Sequence, residues 1–317
     1  MNRVMMGMVG TAPYCSRRLL WRLRRSLGLR PTVRLANGVR WKLPLGDLFA
    51  SDVYVTDGNV DLGCEHMLMA YLRDTRPTGV AMDVGAHSGY YSLLFSTEVE
   101  KVYAFEPDVR NFPLMAEAAA LRSNIELVPM AVGDYCGAVR FSQAVQSDVS
   151  HIEPGAAAPG EASAGLSVPI TTLDAFAAER GLRVAAVKVD VEGFDILVLQ
   201  GGLQTARRDR PVFSVEFGIE AGRANSWEAL AEFLAAARYQ VWAADLDCAA
   251  ARPTCRFARR SVEELQTVWT KMLFLVPEED GWFPAFATCF PQWGRDRFGA
   301  MDVDAWRVRP GGPKADS

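Results

Sequence analysis

The most informative stretch of the sequence is Val80-Ala81-Met82-Asp83-Val84-Gly85-Ala86-His87-Ser88-Gly89-Tyr90-Tyr91-Ser92. It opens with an apolar run, passes through a segment with two glycines and continues into helix-compatible residues, which predicts a strand, a turn and a helix. Glycine gives such a turn its backbone freedom and lets a ligand approach closely, while a helix N-terminus presents free N–H groups. The stretch therefore predicts a ligand-binding turn at the carboxyl end of a buried strand.

The residues around this turn indicate which ligand it holds. Its spacing, Asp-x-Gly-Ala-x-x-Gly, differs from the GxGxxG turn that binds the pyrophosphate of dinucleotides. Asp83 would repel a pyrophosphate but suits an ammonium or sulfonium group. The next strand ends in Glu106-Pro107, where an acid can accept both ribose hydroxyls of a nucleoside. Together these signals favour S-adenosylmethionine (AdoMet) over NAD.

A third charged motif is Lys188-Val189-Asp190-Val191-Glu192-Gly193, at the end of another predicted strand. Its three ionisable side chains point to one side of the strand, where they are costly unless paired or functional. Ligands of open α/β sheets bind outside the carboxyl ends of the strands, so we expect Asp190 to face the reactive methyl group. Glu216 ends the following strand close by. A purely structural ion pair between Lys188 and a carboxylate is the alternative.

The fold class follows from alternating apolar runs and helical stretches. This alternation predicts an α/β fold with a seven-stranded, mainly parallel, doubly wound sheet and helices on both faces. The predicted strands are Val80–Val84, Lys101–Phe105, Ile125–Met130, Ala185–Val191, Pro211–Phe217, Tyr239–Ala243 and Met272–Val276.

The chain divides into four predicted segments. A hairpin signal at Asn37-Gly38 and a helical stretch after Val60 mark the second of them. Residues 142–167, rich in Ala, Gly, Ser and Pro, predict a long loop beside the site. The segments are a basic amphipathic arm (1–31), a hairpin and helix packed on the core (32–79), the ligand-binding domain (80–278) and a partly docked aromatic tail (279–317).

The charges of this 317-residue chain are unevenly distributed, although the formal net charge is only −4. Residues 1–40 hold nine arginines and no acid, so the other 25 Lys and Arg residues are outnumbered by 38 acids. Because the chain beyond residue 40 is this acidic, generic nucleic-acid binding is disfavoured. Leucines at helical spacing within residues 17–27 leave three roles for the arm: a peripheral membrane contact, a partner-enzyme contact, or packing on its own domain.

Cysteine spacing and hydropathy exclude other classes. None of the six cysteines forms a CxxC pair, so we predict reduced thiols, without a zinc site or disulfide framework. No run of eighteen uncharged apolar residues occurs, so no membrane-spanning helix is predicted. The apolar opening of the chain is only a weak signal-peptide candidate, and we expect a cytoplasmic protein, with the arm as its potential membrane contact. The sequence does not indicate an oligomeric state.

In this order, the motifs resemble the FkbM family of AdoMet-dependent methyltransferases. The resemblance rests on residues 83–92, 104–107, 171–174 and 188–193 and covers roughly 80–218. It implies a Rossmann-like methyltransferase sheet and methyl transfer, typically to a hydroxyl of a sugar, polyketide or similar metabolite. It also implies cofactor contacts from Asp83, Gly85, Ala86, His87 and Gly89 to the methionine end, from Glu106 and Pro107 to the ribose, and from Ala131 to the adenine.

One position departs from the family pattern. The family usually has Asn where this chain has His87. A histidine there can still form hydrogen bonds, so the resemblance still implies cofactor binding. It also adds a titrating group near the methionine carboxylate, which would make AdoMet affinity depend on pH.

Methyl transfer to a hydroxyl needs a base, because a hydroxyl is a weak nucleophile. Asp190 is the first candidate, followed by Glu192 and Glu216. Mg²⁺ bound by these carboxylates is an alternative, not favoured because no ligand set of fixed spacing occurs. A small-molecule or glycan acceptor is expected. An RNA methyltransferase that grips RNA with the arm, an NAD-dependent enzyme and a non-catalytic AdoMet-binding module are the competing functions.

Overall fold

The computed structural model describes residues 12–61, 63–142, 151–152, 166–219, 223–247, 254–268 and 270–298. The amino-terminal part places helices and one antiparallel hairpin before the central sheet. The hairpin pairs Val33 with Trp41, which confirms the turn predicted at Asn37-Gly38. The elements are α1 (Ala12–Ser26), β1 (Thr32–Arg34), β2 (Arg40–Lys42), α2 (Leu48–Val55) and α3 (Cys64–Thr75).

The central sheet has eight strands in the order β13-β12-β14-β11-β10-β3-β4-β5. All seven predicted strands belong to it, but the predicted count was wrong by one, because Thr254–Arg260 pairs antiparallel with β12 at the edge. Strands β11, β10, β3, β4 and β5 are parallel, and β14, β12 and β13 continue the sheet antiparallel. Their bounds are β3 (Val80–Val84), β4 (Val102–Phe105), β5 (Ile125–Val128), β10 (Val184–Val189), β11 (Val212–Val215), β12 (Tyr239–Asp247), β13 (Thr254–Arg260) and β14 (Thr270–Pro277).

Helices cover both faces of this sheet, because its central strands are apolar on both sides. Every residue of β3, β4, β10 and β11 is buried. One face packs against the amino-terminal elements, α4 (Tyr90–Phe95) and α5 (Phe112–Leu121). The other packs against α6 (Leu173–Glu179), α7 (Asp195–Gln200), α8 (Leu203–Asp209), α9 (Trp227–Ala237) and α10 (Val262–Leu265).

Between β10 and β11 lie two helices, α7 and α8, which Gly201-Gly202 separates. Two local predictions need correction. Helix α3 begins at Cys64 rather than Val60. The predicted loop 142–167 overlaps a small second sheet of β6 (Ala131–Val132), β7 (Gly137–Ser142), β8 (His151–Ile152) and β9 (Leu166–Thr171). The rest of that loop lies outside the described residues.

A helix near the carboxyl end, α11 (Trp282–Phe298), packs on the first face of the sheet. Phe283, Phe286 and Phe290 are buried, and all three contact the ring of Phe257 on β13. Fully burying one such side chain contributes about 2 kcal/mol, so α11 is an integral part of the core. Across the ranges given above, no helix combines the length and hydropathy needed to cross a lipid bilayer.

Candidate functional site

The turn after β3 is clamped between two neighbouring strand ends. The N–H groups of Gly85 and Ala86 donate to the Phe105 carbonyl at 3.1 and 2.9 Å. Gly85 has φ +77°, and a Cβ built there would lie 2.0 Å from the carbonyl oxygen of Asp190. Only glycine fits, because the obstructing atom belongs to the backbone at the end of β10. The two motifs that the sequence separates by about a hundred residues are thus in direct contact.

Glu106 is held by the backbone at the end of β4. Its two carboxylate oxygens accept the N–H groups of His87 and Asp108, each at 2.8 Å. The side chain is buried, and burial raises the pKa of Glu106 against the lowering effect of these two hydrogen bonds. A carboxylate offers about four lone-pair positions, so two are left for a further donor. Pro107 lies between the two anchored residues.

His87 adopts an uncommon backbone conformation to make this contact. Its φ is +50°, a left-handed value that favours glycine and asparagine. The imidazole Nε2 lies 3.9 Å from Asp47 Oδ1, and its ring packs edge-on against Phe49 of α2 at 5.7 Å. The turn is therefore closed on one side by the segment that leads into α2.

Asp83 lies beneath the turn rather than on its open edge. The side chain is fully buried, and Ser92 Oγ donates to its Oδ2 at 2.6 Å. Burial raises the pKa of Asp83, while the positive charge of Lys188 opposes that shift. Its other oxygen, Oδ1, is buried and has no hydrogen-bond partner within the described part of the chain. Asp83 braces α4 against β3, and its predicted cofactor contact stays a prediction.

Gly89 and Ala131 also take structural roles. Gly89 has φ +85° and precedes α4, and a Cβ there would lie 2.8 Å from the Cβ of Ala118 on α5. The Ala131 side chain is buried in a small cluster with the neighbouring strands β7 and β9. A contact of Ala131 with adenine would therefore have to come from its backbone.

Lys188 joins Asp190 to the turn. Its Nζ lies 3.2 Å from Asp190 Oδ2 and donates to the Gly85 carbonyl, also at 3.2 Å. Burial raises the pKa of Asp190, but the positive charges of Lys188 and Lys271 outweigh this and hold the pKa below its ordinary value. The ion pair that the sequence left as an alternative is present, and the Asp190 side chain keeps 30% of its surface exposed.

A second buried lysine, Lys271 on β14, was not predicted as a site residue. Its Nζ contacts Glu216 Oε1 and lies 3.7 Å from Asp61 Oδ1. Tyr91 donates its hydroxyl to the other Asp61 oxygen at 2.6 Å. Burial raises the pKa of Glu216 to about 7, although the charge of Lys271 acts in the opposite direction. One signal in the sequence could have revealed Lys271: it is a charged residue near the start of a strand that is otherwise mostly apolar.

Glu192 completes the charged cluster. Its φ of +55° places it in a tight loop after β10, which Asp195 holds by accepting the Val191 N–H at 3.0 Å. Burial and the negative charges of Asp190 and Glu216 raise the pKa of Glu192 to about 8. At neutral pH, this cluster therefore shares protons among its carboxyl groups.

The segment that carries Asp61 is fixed by a buried glutamate. Glu65 is fully buried and accepts the N–H groups of Asp61 at 2.5 Å and Gly63 at 3.1 Å. Tyr90 Oη lies 3.2 Å from Glu65 and donates to the Gly58 carbonyl at 2.8 Å. Burial raises the pKa of Glu65 to about 8. The Glu65 carboxylate thus fixes the backbone of Asp61.

In the parts of the chain that the structure describes, no three His, Cys, Asp or Glu side chains form a group that could hold a metal ion.

Comparisons with known proteins place this site in context. Residues 83–241 match the family described as the methyltransferase FkbM domain. Among solved structures, the chain is similar to methyltransferase FkbM from Methylobacillus flagellatus KT, with 14% identity and a TM-score of 0.39 over 81% of this chain and 58% of that chain. The chain therefore spans less than two thirds of that relative.

A second similar structure is magnesium protoporphyrin IX methyltransferase from Synechocystis PCC 6803, solved with bound SAM. The match has 11% identity and a TM-score of 0.38, over 85% of this chain and 99% of that chain. A comparison with curated proteins finds no match.

Proposed function

This chain belongs to the FkbM methyltransferase family, and we propose that it transfers a methyl group from AdoMet to a hydroxyl oxygen of a sugar, glycolipid or polyketide-type metabolite. One observation carries the proposal: the glycine turn touches the backbone of Asp190, beside the carboxyl group of Glu216, whose pKa is near neutrality. A cofactor turn and a proton acceptor then meet at the same edge of the sheet, where doubly wound folds bind their ligands.

The residues at the turn fit AdoMet. Gly85 leaves the turn free of a side chain. Glu106 is anchored by two backbone N–H groups and keeps acceptor positions for two ribose hydroxyls. When bound, AdoMet supplies an electrophilic methyl group.

Glu216 is the base in this proposal. Brønsted behaviour favours a base whose pKa lies near the working pH, and burial raises the pKa of Glu216 to about 7. Asp190 ranks first from the sequence alone, but the lysines lower its pKa, and a weakly basic carboxylate accepts a proton poorly. Asp190 instead holds Lys188 against the turn. Lys271 orients the Glu216 carboxylate toward the same edge.

Glu192 has a different role near neutral pH. Because its pKa is about 8, it carries a proton at pH 7 and can donate a hydrogen bond to an acceptor oxygen. In this proposal, Glu216 accepts the proton of the acceptor hydroxyl and Glu192 donates a hydrogen bond to the acceptor.

The variant Glu216→Gln tests this proposal. Turnover on hydroxylated acceptors should fall by about 10²- to 10⁴-fold, as expected for a lost general base. The affinity for S-adenosylhomocysteine should change less than about threefold, because Glu216 is remote from the ribose-binding end. Glu279→Gln, at an exposed ion pair with Arg210, is the matched control and should keep wild-type turnover. Full turnover in Glu216→Gln would remove Glu216 as the base, and cofactor binding without transfer to any acceptor would favour a non-catalytic module.

A further inference from the structure

Helix α1 presents its leucines to solvent instead of to the domain. The exposed fractions of Leu19, Leu20, Leu23 and Leu27 are 69, 40, 53 and 61%. Leu27 lies just beyond the helix but still donates its N–H to the Leu23 carbonyl at 3.1 Å. At about 100° per residue, the four side chains fall within one arc of about 100°. They form a continuous apolar stripe, which we call the leucine stripe.

A different face of α1 fixes the helix to the domain. Trp21 is 5% exposed and packs against Tyr54 of α2, with ring centroids 5.5 Å apart. Arg17 donates to the Tyr54 carbonyl at 2.9 and 2.7 Å and pairs with Asp57 at 2.7 Å. Trp21 lies roughly 160° around the helix from Leu23. Anchoring through this face therefore leaves the leucine stripe directed away from the domain.

The charges beside the stripe are all positive. At about 100° per residue, Arg22 is exposed on one side of the stripe and Arg24 is half-buried on the other, and residues 1–40 contain nine arginines without a single acid. The rest of the chain is acidic, so α1 is a localised basic surface with an apolar centre. A helix that combines exposed leucines with arginines on its flanks has the chemistry that lies in the interface of an anionic bilayer.

We propose that the leucine stripe of α1 docks this protein on an anionic lipid bilayer. The leucines enter the headgroup boundary, and the neighbouring arginines contact anionic headgroups. Charge complementarity favours an anionic bilayer as the partner of α1. Such a bilayer repels the acidic remainder of the chain and attracts the basic helix. Helix α2, against which α1 packs, carries Phe49 in contact with His87. Docking would thus hold the turn after β3 near the membrane. The proposed docking does not depend on the proposed reaction.

Sedimentation of the full chain with vesicles tests the inference. Wild type should bind vesicles of phosphatidylcholine mixed with phosphatidylglycerol, and bind phosphatidylcholine alone at least tenfold more weakly. The triple variant Leu19→Gln/Leu23→Gln/Leu27→Gln should lose at least tenfold in affinity for the mixed vesicles. The matched control, Leu121→Gln/Leu166→Gln, changes two exposed leucines elsewhere and should bind as wild type does.

A second variant keeps the test decisive if the triple variant unfolds. Arg22→Gln changes one exposed side chain beside the stripe, and it should weaken binding severalfold and reduce its dependence on salt. Absence of binding to the mixed vesicles, or equal binding by wild type and both stripe variants, would overturn the inference. So would self-association of wild type by light scattering that the triple variant abolishes, because a second copy would then cover the stripe.

Discussion

The two halves of the candidate site are built in different ways. At the ends of β3 and β4 the site is made of backbone: Gly85 touches a carbonyl group, and Glu106 is held by two N–H groups. At the ends of β10, β11 and β14 it is made of charge, with Lys188 and Lys271 set among four carboxyl groups. We call these the backbone half and the charged half.

Because the two halves are built differently, they should tolerate different substitutions. A backbone contact has no room for one more atom, so the backbone half should fail when a methyl group is added. A cluster of coupled charges redistributes protons when one member is lost, so the charged half should keep its shape and change its pH dependence. Adding a methyl group to the backbone half and removing charges from the charged half therefore tests this division of the site.

The largest effect is expected from Gly85→Ala. The new Cβ would lie 2.0 Å from the Asp190 carbonyl, and φ at this position is +77°. The free energy of unfolding should fall by about 3 kcal/mol or more, measured by urea denaturation. Gly46→Ala is the control, because nothing lies within 4 Å of a Cβ at that position. Its effect should stay within about 0.5 kcal/mol, and equal losses in both variants would show that the turn is not clamped.

Lys271→Met should produce the next largest effect, on pH dependence. Lys271 lowers the pKa of Glu216, so removing it should raise that pKa above its present value of about 7. Since the ionised carboxylate is the active base, the rise of rate with pH should move upward by about one unit or more. Lys101→Met, in an exposed pair with Glu126, is the control and should leave the profile in place. An unshifted profile in Lys271→Met would separate Glu216 from the chemistry.

Glu106→Gln should have a smaller effect, which is confined to cofactor affinity. The amide nitrogen would face the N–H of either His87 or Asp108, so one backbone donor would lose its acceptor. S-Adenosylhomocysteine affinity should fall about tenfold, whereas turnover at saturating AdoMet should change little. Glu126→Gln, exposed on neighbouring β5, should bind as wild type does. A turnover defect without an affinity defect would place Glu106 in the charged half.

The smallest effect is expected from His87→Asn. The backbone N–H that binds Glu106 is retained, and asparagine tolerates φ near +50°. Affinity for S-adenosylhomocysteine at neutral pH should stay within about threefold of wild type, because the backbone contact between this position and Glu106 is unchanged. A tenfold loss would instead mean that the imidazole itself binds the cofactor.

The same division explains what the sequence could predict. The backbone half lies in two short motifs whose glycines and acids are adjacent in the chain, so Gly85 and Glu106 could be identified from spacing alone. The central strands are apolar on both faces, and that pattern is local too. Strand β13 was missed because its sequence has no apolar alternation: Phe257 is buried in the core but lies between Arg256 and Ala258 and is followed by two arginines.

The charged half depends on contacts between distant segments. Asp61 and Lys271 lie near opposite ends of the chain and meet only because the amino-terminal segment covers the sheet beside β14. The order of basicity among Asp190, Glu192 and Glu216 depends on which lysine faces which carboxylate. Neither property is local, so the sequence could name these carboxylates but ranked the base differently.

Calorimetric titration with S-adenosylhomocysteine tests whether the backbone half binds the cofactor while the charged half moves the proton. Wild type and Glu216→Gln should bind with equal, micromolar affinity, and Glu106→Gln should bind about tenfold more weakly. No binding by a folded wild-type sample, or a loss in Glu216→Gln as large as that in Glu106→Gln, would contradict this division of the site.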